Sequence, residues 1–209
     1  CAAVSAISQG EIPKDSSAIL AYHGVIESFH NSGGVIPLRF GTIVDQESDV
    51  NHLLQNHNER YKRLLEELGD CAEMGLRVIV NSVSAAAEAC SETPTIPLPT
   101  GSGSGAAHLA RLKARHDAQA LASARYQATI ERYRSPFTGL FVNFKAETSR
   151  FALPDAPANS VFLSLHFLIS KQSVEPFRKA YVDLKLRENT KMMLSGPWPP
   201  YNFVLPEDC

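Results

Sequence analysis

The sequence has few of the features that mark a specialised class of protein. No apolar run approaches the roughly 20 residues that a membrane-spanning helix needs. With 12 glycines and 13 prolines among 209 residues, the chain is neither collagen-like nor of low complexity. The four cysteines, Cys1, Cys71, Cys90 and Cys209, are widely spaced. They indicate neither a disulfide scaffold nor a zinc site, and we expect free thiols in a cytosolic protein.

The chain also lacks a large excess of acidic or basic residues, because its formal net charge is only −2. The distribution is uneven, however: residues 1–90 carry a net charge of −6 and residues 91–209 a net charge of +4. This difference favours two domains with different surfaces. Neither half has the strongly cationic face that nucleic-acid binding requires. We therefore expect neither a nucleic acid nor a membrane as a partner.

Hydrophobic periodicity predicts that helices and strands alternate in the first half. The predicted elements are a strand at residues 2–8, a helix at 15–31, a strand at 35–44, a leucine-rich helix at 50–68 and a strand at 76–80. Asp15, Ser16 and Ser17 are the candidates for the N-cap of the first helix. Such an order is typical of an α+β domain in which helices cover one face of a small sheet. The other face of that sheet would then be free to bind a ligand or a partner.

A proline-rich segment followed by a glycine–serine run predicts a linker at residues 91–105. The elements predicted after it are a long basic helix at 106–134, strands at 140–148 and 161–169, a helix at 173–188 and a strand at 191–194. The prolines at 197, 199 and 200 should end the last strand, because proline has no N–H for the ladder. The chain is thus predicted to hold an α+β domain at residues 1–90 and a ferredoxin-like domain at 106–209.

No motif indicates a catalytic, cofactor or metal site. The run from Gly101 to Ala106 fits G-x-G-x-x-A, but it lacks the preceding strand of a dinucleotide site. Glu27 and His30 form one E-x-x-H pair, whereas a di-iron bundle needs two. His23 lies two helical turns, roughly 10 Å, from His30, which is too far for one ion. G-x-S-x-G is absent from the sequence. We expect a protein without enzymatic activity and without a cofactor.

Two longer motifs resemble a known family. The segment GVIPLRFGT at residues 34–42 resembles the PLRFG motif of the gas vesicle protein L/F family, and GPWPPYNF at 196–203 resembles the end of the same family. The resemblance covers nearly the whole chain. It implies a non-enzymatic, cytoplasmic accessory protein of gas vesicle assembly that binds the vesicle shell protein and other accessory proteins. Family members usually begin with one further strand before Ala2, so we expect the first sheet to be one strand short.

Three residues of these motifs are candidates for a partner-binding surface: Arg39, Trp198 and Tyr201. Strand alternation would turn Arg39 away from Leu38 and Phe40, and arginine and aromatic residues are favoured at interfaces. The same motifs also fit a structural role, with PLRFG as a core strand and GPWPPY as a rigid tail packed on the second domain. A ligand-sensing ferredoxin-like module is the alternative function. The residues predicted to be buried are Phe40, Leu64, Leu68, Leu163, Leu165 and Phe177.

Overall fold

The structure is a computed structural model, and it describes residues 1–7, 15–81, 104–149 and 160–204. The helices are α1 (Ser16–Ser32), α2 (Glu47–Asn56), α3 (Asn58–Leu68), α4 (Ser104–Arg134) and α5 (Val174–Arg187). The strands are β1 (Cys71–Asn81), β2 (Asn143–Ser149), β3 (Ser160–Ser170) and β4 (Met192–Trp198). Of the three N-cap candidates, Asp15 caps α1, and its side chain accepts a hydrogen bond from the backbone N–H of Ala18 at 2.7 Å. The α+β class is confirmed.

All four strands of the described residues form one antiparallel sheet, in the order β2-β3-β1-β4. The strand β1 from the first half lies between β3 and β4 from the second half, and pairs with β3 along its whole length. The prediction of a separate sheet in each half is therefore not confirmed, nor is a ferredoxin-like domain confined to residues 106–209. The boundary at 91–105 stays a prediction, since residues 82–103 lie outside the described ranges.

The main core lies on the sheet face that α4 and α5 cover. Alternate residues of β1 and β3 point into it, as the two-residue side-chain repeat of a strand requires. Leu163, Leu165 and Phe177 are buried there as predicted. Phe177 stacks on Phe137 with ring centroids 4.2 Å apart and meets Phe167 edge-on at 5.1 Å. These aromatic contacts join α5, the turn after α4, and β3 into one packed layer.

A smaller core lies on the opposite sheet face, at the end where β1 begins. Its buried members are Leu68, Cys71, Leu168, Phe203 and Val204, with Ile36 and Leu64 packed against them. Leu68 is therefore buried as predicted, whereas Leu64 is only partly buried. This cluster fixes α3 and the end of the described chain on the second sheet face. Cys71 and Cys1 are free thiols, and Cys90 and Cys209 lie outside the described ranges.

The strands predicted at residues 2–8 and 35–44 are wrong where the structure describes them. Residues 1–7 form no strand and are exposed, and residue 8 is not described. Residues 35–39 have no regular secondary structure and pair with no strand that the structure describes. Pro37 cannot donate to a ladder, and the chain turns at Gly41, whose φ of 89° suits glycine. Phe40, predicted to be buried, is partly buried against Tyr22 at 5.3 Å between ring centroids.

Two further boundaries differ from the predicted ones. The helix predicted at 50–68 is two helices, because α2 ends before His57 and α3 begins after it. The last strand does not end before the prolines but continues to Trp198 through a cis Gly196–Pro197 bond. Proline is tolerated there because β4 is an edge strand, where no N–H has to reach a further neighbour.

Candidate partner-binding site

Trp198 and Tyr201, two of the predicted site residues, both meet helix α1. Trp198 lies opposite Glu73 in the sheet and is 39% exposed, and Tyr201 is partly buried in the turn that follows β4. The His23 ring approaches Trp198 edge-on, with centroids 5.2 Å apart. The Tyr201 hydroxyl lies 2.7 Å from Nδ1 of the same imidazole. The GPWPPY motif therefore holds α1, an element of the first half, against the sheet, whereas its structural reading placed it on the second domain.

The Tyr201 hydroxyl keeps its proton across the physiological range. Burial raises the pKa of Tyr201 to about 12, and the charges of Tyr22, Glu27 and Glu73 add to the effect. A protonated hydroxyl can donate to an unprotonated imidazole nitrogen, which fits its approach to His23 Nδ1. The contact between α1 and the sheet is thus a hydrogen bond backed by two ring contacts.

Beneath Trp198 and Tyr201 lies a buried carboxylate that the sequence did not indicate. Glu73 of β1 is 3% exposed, and its Oε1 accepts a hydrogen bond from His166 Nδ1 at 2.9 Å. Asn202 donates its backbone N–H to Oε2 at 2.9 Å and its side-chain amide to Oε1. With three donors the carboxylate is satisfied in its buried position. This network fixes the turn carrying Tyr201 on the second sheet face.

Arg39 belongs to the PLRFG segment, which contacts α1 through Tyr22. The Tyr22 hydroxyl donates to the backbone carbonyl of Leu38 at 2.6 Å, so the residue next to His23 holds the PLRFG segment. The carbonyl of Arg39 accepts from both the N–H and the hydroxyl of Thr42, which closes the turn. The Arg39 side chain is exposed and makes no ion pair within the described ranges. Trp198 and Tyr201 are thus brought together at His23, whereas Arg39 follows Leu38, whose carbonyl binds Tyr22.

The structure adds an apolar surface that sequence reasoning missed. Several large side chains of α1 and of the segment that follows it are 42–67% exposed. We call this set the α1 surface: Ile19, Leu20, Val25, Phe29, Leu38, Ile43 and Val44. Ile19, Ile26 and Phe29 follow the helical period of one face, but of the residues of α1 only Ile26 and His30 are fully buried. Apolar residues outside a single helical stripe were the signal that an exposed face exists.

The far end of α1 is held by a buried histidine and a lysine. His30 is 6% exposed, and its backbone carbonyl accepts a hydrogen bond from Lys171 Nζ at 3.1 Å. The same ammonium group donates to the carbonyl of Gly69 at 3.1 Å, so it joins α1 to the end of α3. Burial lowers the pKa of His30, and the positive charge of Lys171 lowers it further. His30 is therefore a neutral imidazole at physiological pH.

No group of three or more histidine, cysteine, aspartate or glutamate side chains is placed to hold a metal ion within the described ranges. Among the helices that the structure describes, none is both long and apolar enough to cross a membrane. The described part of the site offers exposed apolar side chains, one exposed guanidinium and one half-exposed indole. Arginine and aromatic side chains are residue types that commonly anchor protein interfaces.

Comparison with known proteins gives one consistent answer. The family model described as gas vesicle synthesis protein GvpL/GvpF matches residues 1–205. Gas vesicle protein L of Streptomyces sp. (strain CB03234) is 26% identical over 193 residues, which is 90% of this chain and 69% of that protein. Gas vesicle protein F of the same strain is 21% identical over 188 residues, covering 89% and 76% of the two chains.

Two crystal structures of GvpF share the fold. The protein from Microcystis aeruginosa superposes with a TM-score of 0.66 at 15% identity, covering 96% of this chain and 83% of the other. The protein from Anabaena sp. PCC7120 gives a TM-score of 0.62 at 18% identity, covering 96% and 82%. The match of the family model across the described core, the PLRFG segment and the GPWPPY turn agrees with the resemblance of the two motifs. The chain belongs to the gas vesicle protein GvpL/GvpF family.

Proposed function

We propose that this protein is a non-enzymatic accessory protein of gas vesicle assembly that binds the vesicle shell protein. Membership of the family supports a role in gas vesicles. The exposed apolar residues of the α1 surface support the proposal that the protein acts by binding a partner. We place the protein in the cytoplasm, associated with gas vesicles, where other accessory proteins are further partners. No catalytic, cofactor-binding or metal-binding residue is part of the proposal.

The α1 surface has the composition of a binding surface for an apolar protein. Its exposed aliphatic and phenyl side chains, Val25 and Phe29 among them, would each leave water on contact with a partner. Arg39 stands at the PLRFG side and Trp198 at the sheet side, and both residue types commonly anchor interfaces. A small hydrophobic shell subunit, as the family resemblance implies, would cover the centre and meet the two anchors at the rim.

Capture of purified shell protein by the immobilised full chain tests this proposal. Val25→Ser should weaken capture, and Val182→Ser on α5 is the matched control, because the two valines are 52% and 53% exposed. Arg39→Ala should also weaken capture while leaving the fold intact, since its side chain makes no ion pair within the described residues. Equal capture by wild type and by the folded Val25→Ser and Arg39→Ala variants would overturn the proposed surface.

Trp198→Ala separates the two roles of the GPWPPY motif. Because the indole contacts His23, its loss should lower the free energy of unfolding as well as capture. If the role of Trp198 is purely structural, the Trp198→Ala variant should regain shell-protein capture when it is assayed well below its Tm, where it is folded. Persistent loss of capture by the folded variant supports direct contact with the shell protein.

A ligand-sensing module that holds a small metabolite on its sheet is the second candidate. It is favoured by the part of the second sheet face that α1 and α3 leave uncovered. There Arg77 and Glu147 are exposed on either side of Ser164, in one row across β1, β3 and β2. A thermal-shift screen distinguishes the two candidates, because a sensor gains stability with a metabolite, whereas an assembly protein responds only to shell protein.

We also propose that the ferredoxin-like unit begins at β1 rather than after residue 105. The elements from β1 to β4 follow the order β-α-β-β-α-β, and the sheet order β2-β3-β1-β4 is that of a split βαβ unit. In this arrangement α1 to α3 form an addition that packs on the second sheet face. The α1 surface then belongs to that addition, and the sheet serves as its support.

A further inference from the structure

Helix α4 extends well beyond the core that holds its end. Among the side chains of α4 that the structure describes, Tyr126 is the first that is partly buried, and Ile130 and Tyr133 are buried in the main core. Every side chain that the structure describes between residues 111 and 125 is exposed. We call residues 111–125 the α4 arm. At 1.5 Å per residue, the arm is about 22 Å of helix without contact to the main core.

Intrinsic helix propensity explains why the arm is helical without packing. Alanine, the strongest helix former, occupies five of its positions, and arginine, lysine, leucine and glutamine are also favourable. Most helices instead depend on burial of an apolar face for their stability. A helix that needs no such face can present its side chains to a partner.

The cations of the arm differ from those at the packed end of α4. At the packed end, Arg132 forms two hydrogen bonds with Glu188, at 2.9 and 2.6 Å. Arg134 pairs with Glu131 at 2.8 Å and lies over the Phe141 ring. In the arm, Arg111, Lys113, Arg115 and Arg125 form no ion pair with any residue that the structure describes. The arginines at the end of α4 that packs on the main core are paired with glutamates, whereas the cations of the α4 arm are not paired with any residue that the structure describes.

Three of these cations share one face of the helix. At 100° per residue, Arg111, Arg115 and Arg125 lie within a sector of about 80°, and Ala118 lies between them. The small alanine side chain would let another protein surface approach the helix closely between the guanidinium groups. With Asp117 as its sole acid, the arm carries a net charge of +3.

We propose that the α4 arm docks, through the face of Arg111, Arg115 and Arg125, on the acidic first half of a second copy of this chain. Residues 1–90 carry a net charge of −6, which complements the arm. On α2 and α3 the exposed carboxylates of Glu47, Glu66 and Glu67 form no ion pair within the described ranges. Because the two halves have opposite charge, two copies related by a twofold axis would each offer an arm and receive one. This proposal is independent of shell-protein binding by the α1 surface.

A nucleic acid is a weaker candidate for the same face. A polyanion would be attracted by the arm but repelled by the acidic half of the same molecule. Leu112 and Leu121, which are 50% and 53% exposed, would also find no apolar contact on a phosphate backbone. A protein surface offers carboxylates and apolar groups together.

Sedimentation velocity of the full chain tests the proposal. At about 20 mM salt a dimer should form as the protein concentration rises, and it should dissociate at about 500 mM salt, where charges are screened within about 4 Å. Arg111→Glu combined with Arg115→Glu should weaken the association by at least about tenfold. Glutamate is also a good helix former, so circular dichroism should show the helical content unchanged.

Lys179→Glu combined with Lys191→Glu is the matched control, because it makes the same change in net charge at two exposed lysines away from the arm. The control should dimerise like the wild type. A wild-type chain that stays monomeric at low salt and about 100 µM would overturn the proposal. Equal weakening by the arm variant and the control would overturn it too, as would an arm that binds a DNA duplex or anionic vesicles while the chain remains monomeric.

Discussion

Replacing Glu73 by glutamine tests the buried network beneath Trp198 and Tyr201. The carboxylate of Glu73 accepts three hydrogen bonds, one from His166 and two from Asn202. Glutamine has the same shape but carries an amide NH₂ where glutamate has an oxygen. Whichever way the amide is turned, its NH₂ faces at least one of these donors.

The expected cost follows from this count. One charge-assisted hydrogen bond is lost, which is worth about 1.5–3 kcal/mol, and the donor left without an acceptor adds about 1–3 kcal/mol. Relief from burying a charge offsets part of this sum. We expect Glu73→Gln to lower the free energy of unfolding by about 2–4 kcal/mol. Urea titration measures it, with an unchanged slope showing that the extent of unfolding is the same.

The control is Glu147→Gln, because Glu147 is an exposed glutamate on the same face of the sheet. It should change the free energy of unfolding by less than about 0.5 kcal/mol. Asn202→Ala completes a double-mutant cycle, in which we expect a coupling energy of about 1 kcal/mol or more with Glu73→Gln. If Glu73→Gln is as stable as the wild type to within about 0.5 kcal/mol, the network does not hold the turn and this reasoning fails.

Three further predictions concern the core, the pH dependence and the chain connection. Leu165→Ala should cost about 2–5 kcal/mol, because the side chain is 0% exposed, whereas Leu186→Ala at an 83% exposed position should cost less than about 0.5 kcal/mol. The pKa of His30 is lowered in the folded state, so the unfolded chain binds more protons than the folded chain as the pH falls below 6.5. The free energy of unfolding, measured by urea titration, should therefore decrease as the pH falls, and it should decrease less steeply in His30→Gln. Limited proteolysis should cut first within residues 91–105, and a first cut within residues 161–169 would contradict the predicted linker.

The elements that the sequence predicted well are those in which a local pattern and the sheet agree. The alternating large apolar residues of β3 and the helical period of α5 place Leu163, Leu165 and Phe177 in the core before any contact is known. The segment at 35–44 shows the limit of this reasoning, because its apolar alternation resembles that of a strand. Whether an extended segment joins a sheet depends on a free neighbouring strand, and Pro37 and Gly41 make the segment a poor one.

The candidate site was predictable in part. The motifs named Arg39, Trp198 and Tyr201, but not the contact that Trp198 and Tyr201 share with His23, because His23 is separated from Tyr201 by 178 positions in the chain. Glu73 lies before the strand predicted at residues 76–80, and a single carboxylate there does not reveal its partners. Contacts of this kind depend on the packing of α1 against the sheet, which a single sequence does not specify.

The central position of β1 has a consequence for how the chain reaches its native state. During synthesis β1 is made early, but its partner residues in β3 follow roughly 80 to 100 positions later. Native pairing of the sheet must therefore wait until most of the chain has left the ribosome, and the long loops that it closes should make folding slow. For the same reason, a chain cut within residues 91–105 should not separate into two pieces, because β1 would keep the fragments together through both of its neighbours. Two fragments produced separately should complement each other on mixing, with each supplying strands that the other cannot replace.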